Sequence, residues 1–181
     1  MTSKASLVFD HAIGDAVDLI NHFDKLNVQP PSPENEVLKR ASLVMALAAL
    51  ETYFEDRIVE AVDALVGTGE GHLPQFMRSC LASDLKVFHT PSTDRVRPIF
   101  QKYLGLDITE FWKWNMMEPA AARLELNRLA RKRGDIAHRS LRPTDGGAAK
   151  HAVSRDDLRR HIHFIRQLVL ATDAGLASID R

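Results

Sequence analysis

ENEVLKRASLVMALAALETYFEDRIVEAVDALV, residues 34–66, decides the fold. Ala, Leu and Glu dominate it, and these side chains give up little rotamer freedom in a helix. At about 100° per residue, Val44, Leu47, Ile58 and Val62 fall on one apolar stripe. The stretch predicts one long central helix. It is stopped by Gly67-Thr68-Gly69-Glu70-Gly71, where glycine can take the positive φ of a helix end. Towards the amino terminus, Leu7, Val8, Ile13, Val17, Ile20 and Phe23 recur at helical spacing over 7–26, and Gln29-Pro30-Pro31-Ser32-Pro33 ends that helix in a stiff connector.

Downstream, Pro74, Pro91 and Pro98 divide the chain into short helical candidates around 73–87, 94–104 and 108–114. A second strong helix is predicted over 118–138, with Leu126, Leu129, Ala130 and Ile136 facing inward. After a connector with Pro143, Gly146 and Gly147, Ser154-Arg155-Asp156-Asp157 reads as a capping box with aspartate in place of Glu or Gln. Leu158, Ile162, Ile165, Val169 and Leu176 then mark a last helix over 154–178. No period-two stretch calls for a sheet, so the fold class is all-α, an antiparallel helical bundle with short extra helices. With 181 residues and 45% hydrophobic content, residues 1–181 fit one domain at roughly 150 residues per domain.

Charge and cysteine content narrow the function. Twenty-four basic residues balance 24 acidic ones, so no global field draws the chain onto nucleic acid or an anionic membrane, and any RNA contact is local. Cys80 stands alone, which excludes an internal disulfide or a cysteine metal cluster and fits a reducing compartment, the cytoplasm by default. Asp10, His11, Asp15 and Asp18 interrupt the apolar residues near the start. Neither a leader nor a membrane span is expected.

The chemistry gathers at Arg131-Lys132-Arg133-Gly134-Asp135-Ile136-Ala137-His138-Arg139, four cations, one acid and one histidine at the end of an amphipathic helix. Guanidinium groups such as Arg131, Arg133 and Arg139 bind phosphate oxygens, and a histidine can exchange a proton near neutral pH. RNA cleavage needs those two abilities: the 2′-hydroxyl attacks its own phosphodiester once a proton is removed, another is supplied and the phosphoryl charge is stabilised. No metal or other cofactor is demanded. Arg133 and His138 nevertheless stand roughly 140° apart on a straight helix. A bend after Gly134 would converge them, and so would a two-fold dimer, the arrangement favoured here. The same cluster also fits a capped helix carboxyl end, with Asp135 pairing back to Arg131.

A further clue is Glu51, a carboxylate on the inward stripe of the long helix. It requires a partner, either as a structural acceptor for an arginine or hydroxyl or as a group orienting the catalytic pair. Arg40 lies on a similar bearing. The remaining candidates read as structural. His161 and His163 point apart on a helix and, with His151, are expected to be solvated or interfacial. Phe111-Trp112-Lys113-Trp114 offers base-stacking surface but fits core or dimer packing better. No G-x-S-x-G elbow is present, and Gly67, Gly69 and Gly71 lack the Lys-Ser/Thr of a phosphate loop.

Residues 40–54, RASLVMALAALETYF, together with 133–138, RGDIAH, resemble the HEPN superfamily and more closely its RiboL-PSP-HEPN-like branch. Residues 40–54 are similar to that branch's long-helix signature with its acidic-aromatic ending. Residues 133–138 are similar to the superfamily's R-x4-6-H motif, here with Gly134 where a polar residue often follows the arginine. The resemblance implies a helical bundle whose two-fold dimer brings the motifs together across a cleft that, in active members, cuts RNA without metal. Arg133 and His138 carry over as the catalytic pair; the reading of the residues themselves adds Asp135 or Glu51 as a group that orients them. It also implies a setting in toxin–antitoxin or antiviral defence, with a possible antitoxin protein as partner. The alternative is a non-catalytic dimerisation or binding module for protein or RNA.

Overall fold

The long helix forms as the sequence predicts, and the other helices are laid against it. The structure, a computed structural model, describes residues 3–26, 32–67, 71–139 and 153–179. Its helices are α1 (Lys4–Leu26), α2 (Pro33–Val66), α3 (His72–Leu85), α4 (Thr93–Leu104), α5 (Pro119–Arg139) and α6 (Arg155–Ile179). A short 3-10 turn, Ile108–Phe111, precedes α5. Among the described residues the only β pairing is an isolated bridge between Trp114 and Met117, so the all-α fold expected from the sequence is what these residues adopt.

Local chemistry sets the helix ends. Ser32 caps α2, its side chain accepting from Asn35 N at 3.3 Å, and Pro33 occupies the first turn where no N–H is missed. Gly67 closes the helix at φ 68, donating to Asp63 O at 3.0 Å. Ser154 caps α6 by accepting from Asp157 N at 3.0 Å. The reciprocal half of the expected capping box is altered, because Asp157 takes the Ser154 hydroxyl at 2.7 Å. Pro98 lies inside α4 and leaves the helix unbroken. The candidate helix over 108–114 shrinks to the 3-10 turn, and the chain then folds back as a tight turn in which Trp114 and Met117 exchange backbone bonds of 3.1 and 2.9 Å. Met116, fully exposed, takes φ 64 there.

α1 and α2 run antiparallel. Ala5 N at the start of α1 donates to Glu60 near the end of α2 at 2.8 Å, Ser42 donates to Ala16 O at 2.6 Å, and Asn35 reaches Leu26 O at 3.1 Å. Phe9, Ile13, Ala16, Ile20 and Phe23 form the buried stripe of α1. Leu7 and Val8, which the sequence pattern placed on that stripe, are exposed, because the register is set by Phe9 and Ile13 and turns both outward. The inward residues expected on α5 and α6 are buried. Phe54 anchors the centre, with ring centroids 6.4 Å from Phe100 and 6.0 Å from Trp112. Trp112 is fully buried and its Nε1 donates to Thr172 Oγ1 at 2.9 Å, which makes this tryptophan a core residue.

One close approach carries a prediction. A Cβ at Gly175 on α6 would lie 2.6 Å from Phe111 Cβ, an atom fixed to the backbone of the 3-10 turn. Gly175→Ala therefore gains up to about 1 kcal/mol of helix propensity but overpacks by more. Urea unfolding is expected to show a net loss of roughly 1–2 kcal/mol; an unchanged midpoint would mean that the turn yields.

Candidate functional site

Helix α5 presents its motif in two directions. Ala122, Leu126, Leu129, Ala130 and Ile136 are its buried residues, and Arg133 shares their bearing. The Arg133 side chain reaches α2, where Nη2 lies 3.6 Å from Glu51 Oε2, and the connector before α4, where Nη1 donates to His89 O at 3.3 Å. The two clues that the sequence offered separately, an inward carboxylate and a motif arginine, are thus one ion pair. Its fit is loose. Glu51 Oε2 and Arg133 Nε are covered yet have no hydrogen-bond partner among the described residues. With Nη1 bonded to one carbonyl and Nη2 only at ion-pair distance, the part-exposed guanidinium keeps Nη donors that a phosphate could take up.

Burial raises the Glu51 pKa above the ordinary carboxylate value, while the charges of Arg133 and His89 pull it back. Glu55, one turn along α2, is raised as well, by burial first and then by the neighbouring charges of Glu51 and Asp56. His89 and Glu55 were not singled out in the sequence. The i, i+4 spacing of the two glutamates was visible there, but nothing local links His89 to a helix that follows much later. Arg40 lies on α2 at roughly 16 Å along the axis from Glu51, outside this cluster.

His138 is exposed, as is Arg131, and Asp135 is half-buried. Arg139 closes α5, and its side chain lies outside the described residues. The helix runs unbroken through Gly134, around which a Cβ would meet nothing within 4 Å. Helical geometry carried through Gly134 sets Arg133 and His138 roughly 140° apart in bearing. The amino-terminal part of α5 is held by α4: Asn127 accepts from Thr93 N at 2.9 Å, and Thr93 Oγ1 donates to Arg123 O at 3.3 Å.

On α6, His163 is exposed as expected, but His161 is buried, which corrects the expectation that it is solvated or interfacial. The α6 register that buries Leu158, Ile162 and Ile165 carries His161 onto α5, beside Glu125 and Arg128. Burial, then the charge of Arg128, pushes its pKa down to about 4, so the ring is neutral at physiological pH. His151 lies outside the described residues. Among those described, no group of three His, Cys, Asp or Glu side chains is placed to hold a metal ion, and no helix is long and apolar enough to cross a membrane.

Searches of curated proteins and of solved structures return no match. A family model does match: that described as RiboL-PSP-HEPN covers residues 12–177, which takes in the long helix with Glu51, the motif helix with Arg133 and His138, and nearly all of α6. The chain belongs to the RiboL-PSP-HEPN family.

Proposed function

We propose that this protein is a metal-independent endoribonuclease acting on single-stranded or looped RNA. The observation that carries the reading is the state of Arg133: a guanidinium held at the edge of the core by Glu51 and the His89 carbonyl, with donors left over, on the same helix as the exposed His138. Membership supports it, since HEPN domains are often ribonucleases and often dimerise. In the mechanism, His138 removes the proton of a 2′-hydroxyl or returns one to the leaving 5′-oxygen. Arg133 stabilises the charge on the scissile phosphate. Glu51 and Asp135 orient the pair, and Arg131 and Arg139 hold flanking phosphates. The products are a 2′,3′-cyclic phosphate and a 5′-hydroxyl.

Because an unbroken α5 keeps Arg133 and His138 on different faces, the working cleft is a two-fold dimer in which two chains supply the motif. A toxin–antitoxin or antiviral defence system, with an antitoxin protein as partner, is the setting proposed for such an activity. The Glu51 contact also favours a second reading. It gives Arg133 a structural counter-charge, which fits a non-catalytic dimer that binds protein or RNA.

Incubating wild type and His138→Ala with a mixed single-stranded RNA in excess EDTA decides between them. Cyclic phosphate ends are expected from the wild type alone, with a loss of at least about a hundredfold in the variant. Equal cleavage by a clean His138→Ala preparation would remove the ribonuclease mechanism, and no cleavage by either protein would leave the binding module.

A further inference from the structure

A groove between α5, α6 and the turn at Trp114–Met117 is used by none of the chemistry above. Its volume of about 460 Å³ falls within the roughly 300–1,000 Å³ of small-molecule sites. One side is aromatic. Trp114 is half-buried, tilted against Phe164 with centroids 5.7 Å apart and planes at 55°. Arg128, Arg159 and Arg160 also line the groove. Arg128 meets Glu125 through two bonds of 2.7 Å, Arg159 meets Asp24 at 2.7 Å, and Arg160 meets Asp157. None of these contacts uses all five donors of a guanidinium.

His161 is the buried polar residue of the groove, more than nine-tenths covered at 4% exposure. Its Nδ1 lies 3.5 Å from Arg128 Nη2, a donor, and 3.5 Å from Glu125 Oε1, an acceptor. Its Nε2 is covered and has no hydrogen-bond partner among the described residues. A covered ring nitrogen left unpaired is unfavourable, and either tautomer of the neutral ring presents a donor or an acceptor there. A stacking surface and guanidinium groups at the rim match the base and the phosphate of a nucleotide.

The groove also lies on the right side of α5. Arg128 and His138 differ by only about 80° in bearing and by roughly 15 Å along the axis. We infer that the groove is a nucleotide subsite: Trp114 stacks one base of a single strand beside the buried His161, and Arg159 and Arg160 take the adjoining phosphate. The ribonuclease reading identifies the strand as substrate RNA a few nucleotides from the scissile bond. Binding in the groove does not require cleavage.

Nuclear magnetic resonance on the full chain tests this directly. The chain has two indole N–H signals, and Trp112, bonded to Thr172 in the core, serves as reference for Trp114. Titration with 5′-UMP or 5′-AMP is expected to move the Trp114 signal saturably while Trp112 stays fixed, and inorganic phosphate alone is expected to move neither. In parallel, a labelled oligouridylate is bound to His138→Ala protein. Adding Trp114→Leu should weaken binding roughly tenfold. Arg160→Glu, a change on the exposed rim that leaves the core alone, should weaken it and flatten its salt dependence. A Trp114 signal that stays fixed at millimolar nucleotide, or that moves with phosphate alone, would overturn the subsite. So would affinities within about twofold in both variants. If wild type cuts RNA while Trp114 stays fixed, the subsite falls and the ribonuclease stands; if Trp114 moves and no RNA is cut, the outcome is the reverse.

Discussion

Arg133→Ala is expected to abolish cleavage and to loosen the fold together, a double loss that His138→Ala will not show. The Arg133 side chain is 26% exposed and that of Glu51 19%. Removing the guanidinium leaves a part-buried carboxylate without its counter-charge. The expected cost is about 1–3 kcal/mol, on top of a loss of roughly 10²–10³ in rate from the missing phosphate stabiliser. His138 is exposed, so its removal should change unfolding by less than about 0.5 kcal/mol.

The pH dependence of the stability loss has a definite sign. Burial already raises the Glu51 pKa, and Arg133 is the largest influence holding it down. Without Arg133 the folded-state value rises further above the unfolded one. A carboxyl of that kind binds its proton more readily when folded. Its penalty is therefore full at high pH and fades as the pH falls through the raised folded value. The gap between wild type and Arg133→Ala should narrow from pH 8 towards pH 5, and Glu51→Gln added to Arg133→Ala should restore stability without restoring cleavage. Urea unfolding at several pH values measures the first part, and the EDTA assay the second. An Arg133→Ala protein as stable as wild type at neutral pH would show that the ion pair contributes nothing to the fold.

The largest loss of stability should come from Asp173. Its carboxylate accepts from Arg57 Nε at 2.7 Å, Tyr53 Oη at 3.0 Å, Ser3 Oγ at 3.1 Å and Ser6 Oγ, tying α1 and α2 to α6. Side-chain exposures are 13% for Arg57 and 20% for Asp173. Among the described residues, Asp173→Ala leaves Arg57 with a 3.8 Å contact to Glu60 and Tyr53 with the Val169 carbonyl. Breaking one side of such a network costs about 3 kcal/mol, a fall of roughly 10 °C in Tm for a chain of this size. Asp24 is the control. It also serves two arginines, Arg155 and Arg159, but both are largely exposed, so Asp24→Ala should cost less than about 1 kcal/mol. Equal losses in calorimetry would mean that burial is not what makes the Asp173 network strong.

The helices were legible because their signals are local. Pro33, the Ala- and Leu-rich run and Gly67 mark α2 within its own residues. The chain also carried the Glu51 clue, since a charge on an apolar stripe must find a partner. What it lacked was the identity of that partner, which depends on how α2 and α5 pack. The same limit explains the residues misjudged or overlooked. Leu7 and Val8 sit beside a stronger stripe that wins the interior. His161 is polar by type and is buried by the register of its apolar neighbours. His89 enters the cluster through its backbone carbonyl, which no side-chain pattern encodes.

The opposed bearings of Arg133 and His138 bear on how such an activity would be kept in check. If a cleft takes its parts from two chains, an isolated copy is a finished fold with no working site. Below the dissociation constant of the pair, activity then climbs with the square of the amount of protein. Scarcity would be a safeguard in its own right, and a partner that covered the exposed face of α5 would silence the chain without touching Arg133.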